Sequence, residues 1–150
     1  MMGWAKDQAL KIAEEEQKLS EERKWQLHCA DLIRRECPAF FEQLANQIET
    51  YVTEFNSVRM GDKVAIDRSD NSISVTKNTY PTVHISLDLV GCEIVMNTRT
   101  IEPNSEPRGN RNRMKFSVQS DGANLNLDGS NHDAIARRIL LPVFNAFIPR

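Results

Sequence analysis

Glycine and proline are scarce, six of each in 150 residues, and aromatic residues make up only 7% of the chain. So little glycine and proline excludes a collagen-like or low-complexity polymer. Three cysteines, Cys29, Cys37 and Cys92, are an odd number, and none stand in C-x-x-C spacing. A disulfide framework and a zinc ribbon are therefore not expected. Cys29 and Cys37 are eight residues apart, about 12 Å along a continuous helix, too far to bond to one another. They read as small buried apolar residues. With no Asn-x-Ser/Thr sequon anywhere, a reducing cytoplasmic location is the expectation.

Long apolar runs are also missing. The longest, Ala39–Phe41 and Ile139–Phe144, fall far short of the roughly 18 to 20 residues that cross a bilayer. The start of the chain, Met1-Met2-Gly3-Trp4-Ala5-Lys6-Asp7, meets charge at once and has no signal-peptide core. Neither a membrane span nor export is expected. Phosphate-cradling glycine loops are absent as well, because all six glycines are isolated. No G-x-S-x-G elbow and no H-E-x-x-H pair occurs.

Three local patterns imitate functional motifs. His84, Ser86 and Asp88 alternate along one predicted strand, but same-face neighbours on a strand stand roughly 6.5 to 7 Å apart and project in parallel. A nucleophile and its base need about 3 Å, so a polar outer face is expected instead. Asn124-x-Asn126-x-Asp128-Gly129 resembles half a calcium loop, yet the closing position that needs Glu is Ile135. His28 with Asp31, and His132 with Asp133, read as surface pairs or caps. No catalytic residue, metal site or cofactor is assigned.

What is present is charge, 19 Lys and Arg against 21 Asp and Glu, with 40% apolar residues. This is the make-up of one ordinary globular unit. The balance is uneven along the chain. Residues 1–37 sum to −1, 38–101 to −3 and 102–150 to +2. The basic excess is too small for a global field, so anion binding would need a local patch.

From Trp4 to Glu36 neither proline nor glycine interrupts a run of strong helix formers. Pro38 predicts a stop and a fresh helix start. In the second helix Phe41, Leu44, Ala45, Ile48, Tyr51, Val52 and Phe55 recur at three- and four-residue steps. After Met60-Gly61 the apolar period falls to two, and six strands joined by short turns predict an antiparallel meander. Ser130-Asn131 then caps a last amphipathic helix, which Pro142 should kink or shift. The expected fold is α+β: N-terminal helices, a meander of about six strands, and a C-terminal helix packed on the sheet. Residues 1–37 form an extended arm and 38–150 the domain.

Two surfaces follow. Residues 4–37 as one rod measure about 50 Å, longer than the roughly 40 Å diameter of a compact chain of this size. Trp4, Leu10, Ile12 and Leu19 then lie outside the core, and the arm is expected to self-associate or dock on a protein partner. The first functional expectation is thus a non-enzymatic interaction domain. The alternative is a nucleic acid or other anionic ligand held by Arg108, Arg111, Arg113 and Lys115, spaced along a polar hairpin loop with Asn110 and Asn112 between them.

Overall fold

The computed structural model describes residues 3–102 and 106–149. The architecture is α+β. Helix α1 (Trp4–Val58) leads into strands β1 (Ala65–Ser69), β2 (Ser72–Lys77), β3 (Thr82–Val90), β4 (Glu93–Ile101), β5 (Arg108–Val118) and β6 (Leu125–Leu127), and helix α2 (His132–Asn145) follows. The sheet order is β1-β2-β3-β4-β5-β6 with every neighbour antiparallel, the expected meander.

One helix stands where two were expected. α1 runs for 55 residues, about 82 Å, straight through Pro38. Proline has no N–H to give the carbonyl of Arg34 four residues back. The Cys37 thiol lies 3.9 Å from that oxygen and 3.8 Å from the Gly91 oxygen, a weak donor shared between the freed carbonyl and the β3–β4 turn. Burial on both sides of the break supplies the rest, since Leu32 and Cys37 precede it and Phe40, Phe41, Leu44, Ala45, Ile48 and Val52 follow.

That stripe packs against α2 and one face of the sheet. Phe41, Leu44 and Ile48 meet a core that holds Ile73 and Val75 of β2, Leu87 of β3, Ile94 of β4, Leu127 of β6, and Ile135, Leu140 and Val143 of α2. β2 alternates half-buried and buried along its whole length, the mark of a sheet covered on one side. Asn131 caps α2 by accepting from Ala134 N at 2.9 Å, as its sequence position suggested. Pro142 is accommodated inside α2 and does not displace its start. Across the helix pair Tyr51 donates to Asp133, and Arg137 donates to the Tyr51 hydroxyl at 3.0 Å and pairs with Asp133 at 3.2 Å. Phe55 stacks on Phe144 at 4.1 Å at the far end.

Cys37 is buried and Cys29 only half-buried, while Cys92 is exposed in the turn beside Gly91. Burial, and then the neighbouring Cys92 thiol, push the Cys37 thiol up to about 11. An alkylating reagent at pH 8 will therefore modify Cys92 in the native protein and leave Cys37 unmodified until denaturant is added, as read by peptide mass spectrometry. Leu44 is fully buried, so Leu44→Ala should cost about 2 to 5 kcal/mol in urea denaturation. Leu10→Ala on the exposed arm should stay within about 0.5 kcal/mol.

Candidate interaction surfaces

The arm is the longest surface. Nearly every residue from Trp4 to Asp31 is exposed, and the first buried side chain of α1 is Leu32. The domain takes hold of the helix slightly earlier, at the β5–β6 turn. There the His28 ring nitrogen Nε2 bonds the Gly122 oxygen at 2.8 Å, and the Trp25 ring lies so close that a β-carbon on Gly122 would sit 3.4 Å from it. His28 thus docks on the turn, while Asp31 pairs with Arg34 at 2.8 Å. Asp121 shapes this turn by accepting from the amides of Ala123 and Asn124 and from the Asn124 side chain. Those bonds, the Ala123 amide first, hold its carboxyl below the ordinary carboxylate range.

Beyond Trp25 the helix projects alone for about 31 Å. Trp4, Leu10, Ile12 and Leu19 are all at the surface, Trp4 at 78% exposure. They do not share one face. At about 100° per residue Leu19 lies about 20° from Ile12, Trp4 about 80° away and Leu10 about 160° away. The face that carries Ile12 and Leu19 also carries Ala5, Ala9, Glu16, Arg23, Leu27 and Ala30. Leu27 and Ala30 stand clear of the domain there. Leu27 was not among the residues picked out from sequence, because its membership depends on helix phase instead of hydrophobicity alone.

The second surface is the sheet face that the helices leave open. The segment 108–115 is a strand, not a loop, and pairs with β4 so that Arg111 faces Asn97, Arg113 faces Val95 and Lys115 faces Glu93. Alternation puts Arg111, Arg113 and Lys115 on the open face, and Arg108, though on the other alternation, still borders the groove beside Arg99 and Arg111. Register also places Arg99 on the open face, between His84 of β3 and Gly109 of β5. Arg99 and His84 could not be grouped with the basic segment until the β4–β5 pairing was known. Arg113 reaches Glu93 at 3.8 Å. A groove of about 560 Å³ lies here, lined by His84, Ser86, Asn97, Arg99, Gly109 and Arg111 among others.

The motif-like patterns dissolve into structure. His84 Nδ1 bonds Thr76 Oγ1 at 2.7 Å across the β2–β3 pair, and Ser86 and Asp88 sit in separate rows opposite Ser74 and Ser72. Leu125 and Leu127 of the calcium-like stretch are buried in β6, and Asp128 accepts from the Lys115 amide at 3.1 Å. His132 packs edge-on to Phe40. Among the described residues no three His, Cys, Asp or Glu gather as metal ligands, and no helix is long and apolar enough to cross a membrane.

The fold and surfaces define an α+β domain with a projecting helical arm and an open, polar sheet face. No protein family, curated protein or solved structure matches the chain.

The brace at the β5–β6 turn has a pH signature. A carboxyl whose value is lowered by folding contributes stability fully above its unfolded value, about 3.9, and loses that contribution as pH falls through the lowered folded value. In a Trp4→Phe background, acidification through this window should shift Trp25 fluorescence, and Asp121→Ala should abolish the pH dependence of that shift.

Proposed function

We propose that this chain is a non-enzymatic interaction protein of the cytoplasm whose arm pairs antiparallel with the arm of a second copy. The observation that carries the reading is the lone helix from Trp4 to Lys24, with Ile12 and Leu19 half-exposed on one face. A helix of this length gains most of its stability from packing an apolar stripe. Three free cysteines without sequons support the compartment.

Charge selects the second copy as occupant and sets its direction. In an antiparallel pair centred between Leu19 and Ser20, Glu16 comes level with Arg23 on the face that carries Ile12 and Leu19, a contact made twice by symmetry. Ile12 comes level with Leu27 and Ala9 with Ala30 on the same face. A parallel pair instead aligns Glu16 with Glu16 and Arg23 with Arg23, a repulsive arrangement. The antiparallel overlap from Ala5 to Arg34 is about 45 Å long and leaves the two domains at opposite ends.

Light scattering on the intact chain should give twice the monomer mass. Glu16→Arg should weaken the dimer about two- to thirtyfold, since it reverses two exposed pairs by symmetry at roughly 0.2 to 1 kcal/mol each. Arg23→Glu should do the same, and the Glu16→Arg/Arg23→Glu double variant should recover the dimer. A chain that stays monomeric at 100 μM, or charge reversals without effect, would remove this reading.

A further inference from the structure

The open face of the sheet carries a second site, independent of the arm. Both helices pack on the opposite face, so the rows that cross β2, β3, β4 and β5 here remain in solvent. One row runs Thr76, His84, Arg99, Gly109, and the next Ser74, Ser86, Asn97, Arg111. Gly109 has no side chain where the first row ends, and Ser86 is small in the second. The groove between them is thereby opened, with Arg99 and Arg111 at its flanks. Down β5 the row continues with Arg113 and Lys115, about 6.8 Å per step. On the acidic side, Glu93 pairs with Arg113 and lies opposite Lys115, and Asp88 stands on the same face in the row of Arg113, with Val95 between them.

We propose that this face binds the phosphodiester backbone of single-stranded nucleic acid. Three cations strung along β5, with Arg99 beside them on β4, suit a ligand with repeated negative charge, because they project in parallel and do not converge on one anion. The floor offers His84, Ser86 and Asn97, hydrogen-bonding groups that can meet sugar or base edges of a splayed strand. A duplex is disfavoured, as no helix or two-stranded ribbon on this face is placed to enter a groove. No Phe, Tyr or Trp lines the site, so the stacking contribution of about 1 to 3 kcal/mol per base is missing. Recognition therefore rests on backbone charge, with little sequence preference and strong salt dependence. The same charges lie on a strand whose outer edge is unpaired before Lys115, where they also discourage edge-to-edge association.

The test is fluorescence anisotropy of a labelled twelve-nucleotide oligo-dT on the intact protein. Three to four phosphate contacts predict a fall in affinity of about 20- to 50-fold between 50 and 200 mM salt. Arg99→Ser/Arg111→Ser should weaken binding about tenfold at 50 mM salt and roughly halve the slope of log affinity against log salt, with an unchanged urea midpoint. Arg138→Ser, on the helix side, should bind as the unsubstituted chain does. Absence of binding at 50 mM salt overturns the proposal, as does an Arg99/Arg111 double variant that binds normally. Competition by inorganic phosphate or AMP at the same phosphate concentration would assign the groove to a small anion, and equal binding of polyglutamate would assign it to an acidic protein. Either result also overturns it.

Discussion

Burial of one slanting stripe of α1, from Leu32 through Leu44 to Val52, is the constraint on which the other features depend. It joins both helices to the inner face of the sheet. It also holds the helix together across Pro38, where a backbone hydrogen bond is lost. The loss of one such bond is worth roughly 1 kcal/mol net, whereas each large buried side chain on either flank contributes about 1.5 to 3 kcal/mol. Packing therefore wins over the local preference of proline, and the arm becomes a rigid extension of a core element. An arm attached by a flexible joint at residue 38 would have no fixed direction. Here the grip of the β5–β6 turn on Trp25 and His28 aims it.

Covering one face of the meander leaves the other free. Residues of the helix-side rows along β2 and β3 are apolar except the buried Lys77, whose ammonium donates to the Thr79 and Pro81 oxygens, and those of the open side are mainly Ser, Thr, His and Asp. Along β4 and β5 the open rows turn basic. A sheet that needs only one apolar face for stability can vary the other at little cost, which makes the open face the natural place for recognition chemistry. The arm and this face draw on opposite resources. The arm offers an apolar face with mixed charge, and the sheet face offers a basic row on β5 beside Arg99, with Asp88, Glu93 and Val95 among its neighbours.

The two readings also fit one another spatially. An antiparallel pair of arms carries its two domains at opposite ends, so each copy keeps its own basic face. Two linked weak sites engage one strand with a higher effective concentration than either has alone, provided the strand spans the distance. The missing aromatic residues in the groove then matter less, because avidity replaces stacking as the source of affinity.

Element type and order were legible in the amino-acid sequence, because a change of apolar period from 3.6 to 2 reports directly which face each segment buries. The α+β class, the six-strand meander and the Asn131 cap all follow from that local physics. Three features needed the tertiary structure. Pro38 predicts a break, since local rules see the lost hydrogen bond and not the core residues on both flanks. The segment from Arg108 predicts a loop, since its polar residues lack an apolar alternation, and only pairing with β4 makes it a strand. Arg99 and His84 joined the basic segment through register, a non-local property that no single stretch of sequence contains. Local composition decided what each segment is, and long-range pairing decided which side chains stand together, because neighbours across a sheet are set by strand alignment and not by their distance along the chain.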